Sequence, residues 1–153
     1  MKKALLIIGV ILIGLCSCHS SKKNQVLLTR TFPTSSWERF DFVKDNVEIK
    51  KPAVFNLVLD VTFDPSYSFN HFSVVFTIFD SYETPFRAKE YKFNLKEADG
   101  SWKSTLVDGK YHFSFPINSN LSINEPGTYA FQLEYRMPVT PLTGVDKVTI
   151  LNQ

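Results

Sequence analysis

The chain has 153 residues, 44% of them hydrophobic and 14% aromatic, with 17 Lys+Arg against 15 Asp+Glu. Lys2 and Lys3 supply the whole formal charge of +2, so the remainder is neutral and gives no electrostatic case for a nucleic-acid partner. The size suits one domain with a sizeable core. The 2 cysteines exclude a disulfide framework.

Met1-Lys2-Lys3 is a short positive head, and residues 4–15, ALLIIGVILIGL, are apolar or glycine without a charge. This is the pattern of an export signal. Twelve helical residues at about 1.5 Å each cover roughly 18 Å, too little for a bilayer core of about 30 Å.

Cys16 and Cys18 follow at once. A disulfide between them would close a very small, strained ring. Metal binding has only His19 nearby to support it. The run Leu15-Cys16-Ser17-Cys18 resembles a bacterial lipobox, with an aliphatic residue at −3, a small residue at −1 and Cys18 as lipid acceptor. With Cys16 as acceptor, Leu15 would stand where a small residue is wanted. Residues 1–17 are therefore read as a lipoprotein signal peptide. Removing them from the 153 leaves 136 residues, with 15 basic and 15 acidic side chains.

Residues 18–36 read as the lipidated N-terminus and a tether, and residues 37–153 as the domain. Within the tether, Val26-Leu27-Leu28 is a small apolar patch that either packs on the domain or pairs as an edge strand. Pro33 and Thr34-Ser35-Ser36 mark a loop.

Alternation of apolar and polar residues then dominates. In AVFNLVLDVTF, Ala53, Phe55, Leu57, Leu59, Val61 and Phe63 share one face. In HFSVVFTIFD, Phe72, Val74, Phe76 and Ile78 do so, and Val75 and Phe79 make the other face partly apolar, as in a central strand. FRAKEYKFNL gives Tyr91, Phe93 and Leu95. Asp99-Gly100 follows as a hairpin turn of the mirror-image type, with positive φ expected at both central residues, and Asp108-Gly109 marks a second turn. KYHFSF alternates until Pro116, which is expected to end the strand. Residues 117–125 read as a loop with a helical turn. TYAFQLEYR has the clearest alternation, and VDKVTIL closes the chain as a strand. The fold class is all-β, an antiparallel β-sandwich or jelly-roll-like domain of about 7–8 strands.

Catalytic patterns are weak. His19, His71 and His112 share no metal-ligand spacing, and neither a phosphate-cradling glycine loop nor a nucleophile elbow is present. Asp60 and Asp64 offer a carboxylate pair of the kind glycosidases use, but acidic residues at strand ends are usually solvated. The expectation is a non-enzyme with no catalytic residues, no metal and no cofactor. Trp37 and Trp102 are the possible binding aromatics, able to stack on a sugar or anchor a protein. The alternative is that each plugs one end of the sandwich.

Four segments carry a family resemblance: WERFD at 37–41, KEADGSWKS at 96–104, NEPGTYAFQLEYRM at 124–137 and PLTGVDKVTI at 141–150. In that order and spacing, the chain resembles the gliding-motility lipoprotein GldH family of Bacteroidetes-type bacteria. The resemblance implies an envelope lipoprotein associated with gliding and supplies no catalytic residues. It further implies that surface-bound lipoproteins of such bacteria carry acidic residues just after the lipidated cysteine. Here His19-Ser20-Ser21-Lys22-Lys23 is basic. The expected location is therefore the cell envelope, lipid-anchored, with the outer membrane favoured and the domain facing the periplasm. The expected role is a structural or protein-interaction component, its partners the membrane and other envelope or motility proteins. A glycan-binding module is the alternative.

Overall fold

A computed structural model describes residues 24–153. The signal peptide, Cys16 and Cys18 lie outside the described residues. In chain order the strands are β1 (Gln25–Thr31), β2 (Ser36–Trp37), β3 (Val43–Ile49), β4 (Ala53–Phe63), β5 (His71–Phe79), β6 (Pro85–Asn94), β7 (Leu106–Val107), β8 (Lys110–Ile123), β9 (Gly127–Tyr135), β10 (Leu142–Thr143) and β11 (Val145–Asn152). Eight have seven residues or more and three have only two. One sheet runs β1-β11-β4-β8-β7, the other β3-β9-β5-β6, and β10 and β2 form a separate pair. All pairings are antiparallel, and the sheets curl into a half-barrel, consistent with an all-β sandwich.

Alternation explains the core. Phe55, Leu57, Leu59, Val61 and Phe63 of β4 are buried, facing Phe72, Val74, Phe76 and Ile78 of β5 and Tyr129, Phe131, Leu133 and Tyr135 of β9. Aromatic edges lock the sheets together: Phe55 meets Phe131 at 6.3 Å, and Phe63 meets Phe72 at 5.3 Å. Each fully buried side chain of this kind contributes about 1.5–3 kcal/mol. Phe93 of β6 also stacks on Phe115 of β8 at 4.1 Å, and the Tyr91 hydroxyl donates to the Ile117 carbonyl.

One reading is settled and two change. First, the apolar patch at 26–28 takes the edge-strand alternative, and the sheet starts at Gln25. A bulge between Val26 and Leu28 lets two successive leucines, Leu27 and Leu28, both face the core. Second, β8 does not stop at Pro116. Ile117 is the extra residue of one bulge against Leu57 and Val58, and a second bulge follows at Ser119-Asn120, where Asn120 has φ +58°. A proline is tolerated at such a bulge because the ladder is already interrupted there. Third, Gly100 has φ +85°, but Asp99 is not in the left-handed region. The Gly100 amide bonds the Glu97 carbonyl at 3.0 Å, and Glu97 bonds back to Ser101 at 2.8 Å. That is the three-residue type I turn with a glycine bulge, in place of the mirror-image turn. The mirror-image geometry occurs instead at Asp108-Gly109, with φ of +50° and +76°.

Candidate functional site

At one end of the sandwich the segments 38–42 and 136–140 form a tip. The Asp41 amide bonds the Glu38 carbonyl at 3.2 Å, closing a turn around Arg39 and Phe40. Phe40 has φ +68°. Positive φ at the third position is the arrangement of a type II turn, where glycine is the favoured residue. An aromatic there is sterically costly and persists only if the surroundings hold it.

The bracing is visible. Trp37 is 1% exposed, stacked on Phe32 at 5.0 Å and edge-on to Tyr135 at 5.3 Å. Its indole N–H donates to the Asp41 carbonyl at 2.7 Å. The Arg39 guanidinium donates to the Met137 carbonyl at 3.0 Å, and the Arg39 amide donates to Thr140 Oγ1 at 3.3 Å. Arg30 holds the Asp41 carboxylate through one nitrogen, 2.9 and 3.2 Å from its two oxygens.

The brace does not bury the residue it strains. Phe40 is 74% exposed, with Phe42 edge-on at 6.5 Å and Val139 also exposed. Beside them lies a depression of 280 Å³ lined by Arg39, Phe40, Tyr135, Arg136 and Pro138, among others. The buried Tyr135 hydroxyl has no hydrogen-bond partner among the described residues. The tip thus combines an apolar protrusion, a flank of paired charges in which Arg136 meets Glu134 at 3.3 Å, and a depression with an unused hydroxyl nearby. Such a surface can insert a rigid aromatic into a partner's pocket.

The tip lies away from the N-terminal end of the domain. β1 runs from Gln25 towards it, and β3 runs back from it. Gln25 shares a surface with Ile49, Lys50 and Lys51 at the opposite end. Seven strand residues at about 3.3 Å each separate the ends by roughly 23 Å.

The other singled-out residues fall as follows. Trp37 is core, so no face of its indole is free to stack on a sugar. Trp102 is half-buried, stacked on Tyr111 at 4.2 Å with the Lys96 ammonium 4.8 Å from its ring centroid. Trp37 is thus part of the core, and its brace role is what joins it to the site, whereas Trp102 packs half-buried against Tyr111. Asp60 sits on the outer face of the five-stranded sheet. Asp64 is committed elsewhere. It takes the Ser66 amide at 2.9 Å and the Lys110 ammonium at 2.9 Å, and Lys110 also reaches Asp146 at 3.1 Å. The bonds from Ser66, then Lys110, hold the Asp64 carboxyl down at about 2. His71 heads β5, where desolvation, helped by Lys92, lowers its proton affinity. His112 pairs with Thr62 on the outer face. Among the described residues no group of three His, Cys, Asp or Glu could hold a metal ion, and no helix is long and apolar enough to cross a membrane.

The fold defines an all-β domain of antiparallel sheets with a braced aromatic tip. The family model for the GldH lipoprotein matches residues 27–150, and the chain belongs to that family. The match starts in β1 and ends in β11, so it spans the whole sandwich. Membership makes the chain a lipoprotein, a protein held at a membrane by lipid. Comparison with the curated proteins gave no match.

Proposed function

We propose that this protein is a non-enzymatic, lipid-anchored component of an envelope or motility assembly, and that it grips a protein partner with the 38–42 tip. The observation that carries the reading is Phe40: a strained, 74% exposed aromatic held outward by Trp37, Arg39 and Arg30. Folding stability gains nothing from exposing it, and a binding surface does. Lipid on Cys18 would place the membrane at the Gln25 end, leaving the tip directed away from it. The basic stretch after Cys18 supports a periplasmic orientation on the outer membrane.

Co-purification from chemically cross-linked envelopes tests this. The wild type should bring down a reproducible partner, and Phe40→Ser should lose it while keeping its melting temperature. Recovery of the wild type alone, or equal capture by both, would count against the tip.

A further inference from the structure

The outer face of the five-stranded sheet carries a second feature, independent of the tip. A depression of 480 Å³ is lined by Asp60, Thr62, His112, Ser114, Lys147 and Thr149, with Val26 and Leu151 at its apolar end. The strand register places these residues deliberately. Thr149 and Ser114 stand opposite Asp60 on its two sides, and Lys147 and His112 stand opposite Thr62 in the next row. The volume falls in the range of small-molecule sites, about 300–1,000 Å³.

What is unused there points to a ligand class. Two hydroxyl pairs are closed: Thr29 with Thr149 at 2.9 Å, and Thr62 with the His112 ring at 3.3 Å. Asp60 Oδ1 is buried without a hydrogen-bond partner among the described residues. Such a group costs stability and calls for an explanation. Lys147 and Ser114 are exposed on the same face, in the lining of the depression. Asp60 and Lys147 are diagonal neighbours, and Asp60 Oδ1 takes no hydrogen bond from Lys147. A carboxylate and an ammonium on one face give no net formal charge, which disfavours an anion or a cation. A neutral polyol fits both, because each of its hydroxyls donates and accepts. One hydroxyl of a vicinal diol can donate to Asp60 while its neighbour accepts from Lys147.

We infer that this face binds a neutral carbohydrate, its vicinal hydroxyls bridging Asp60 and Lys147 with Ser114 beside them. The aromatic platform sought at Trp37 and Trp102 is not involved.

The test is calorimetry and amide NMR on the purified lipoprotein in a detergent without a sugar head group, titrated with cellobiose, chitobiose and mannobiose. At least one disaccharide should bind, with shifts centred on Thr62, Ser114 and Thr149. Asp60→Asn, which keeps the shape, should weaken binding about tenfold or more, as expected for losing a charged hydrogen bond. Lys147→Met should weaken it as well. Amide spectra of the variants establish that they fold. Binding by none of the three sugars, affinity unchanged in Asp60→Asn, shifts centred on Trp102, or tighter binding of putrescine than of any sugar would each overturn the assignment.

Discussion

Gly144 lies against the backbone of Tyr67: a Cβ on Gly144 would stand 2.5 Å from the Tyr67 nitrogen and 2.6 Å from its Cα. Gly144 also has φ +86°, accepts from the Asp64 amide at 2.9 Å and donates to the Ser35 carbonyl at 2.6 Å. It therefore stitches the start of β11 to the turn after β4 and to the loop before β2. Gly144→Ala meets both a left-handed backbone and a clash with atoms that cannot swing aside. The expected cost is about 3 kcal/mol or more. Gly100 has φ +85° but open space around it. Gly100→Val should cost only about 1–2 kcal/mol, the backbone contribution alone. Denaturant melts of the two variants check the ordering, and equal losses would contradict it.

Trp37→Phe should loosen the tip more than the core. The ring volume is largely kept, but the bond from the indole N–H to the Asp41 carbonyl is lost. The expected cost is about 1–2 kcal/mol. Amide exchange at Phe40, Asp41 and Phe42 should quicken by a larger factor than at Leu133 or Ile150. Uniform quickening across the domain would mean that Trp37 acts only by filling space.

Stability should fall on acidification through the Asp64 window. Its folded value of about 2 lies below the ordinary aspartate value of 3.8, so the charged form is favoured by folding. That contribution is complete above about pH 4 and is lost as pH drops towards 2. With 31% of the Asp64 side chain and 29% of Lys110 exposed, solvent screens the pair, and the loss should be on the order of 1 kcal/mol. Thermal melts of wild type and Asp64→Asn should differ at pH 6 and converge near pH 2. A constant gap across that range would contradict the assignment.

The lipid acceptor is open to a direct check. Metabolic labelling with a palmitate analogue should mark the wild type and Cys16→Ser but not Cys18→Ser. Labelling that persists in Cys18→Ser would move the acceptor elsewhere.

Strands with one plain buried face were legible in the sequence. The apolar faces of β4, β5 and β9 repeat every second residue, and their bounds followed from that to within a residue. What hid the others was local irregularity. Leu27-Leu28 breaks alternation, and only the β1 bulge makes both inward-facing. Pro116 looks like a stop, yet two bulges carry β8 past it. Asp99-Gly100 and Asp108-Gly109 are the same dipeptide in two different turns, and the choice depends on how the flanking strands meet. The tip was hidden for another reason. WERFD marks the family, but no pattern rule assigns positive φ to a phenylalanine. Trp37 looked like a candidate ligand platform because it stands outside the alternating runs. It is buried through a two-residue pairing of β2 with β10 that is too short to leave a periodic signal.

The most direct measurement is photo-cross-linking in living cells with a benzophenone amino acid placed at residue 40. A matched control places it at Val54, which is 58% exposed at the other end of the domain. Position 40 should give a discrete higher-mass adduct containing one envelope protein, and position 54 should not. No adduct at position 40, or the same adduct from both positions, would contradict a partner held at the tip.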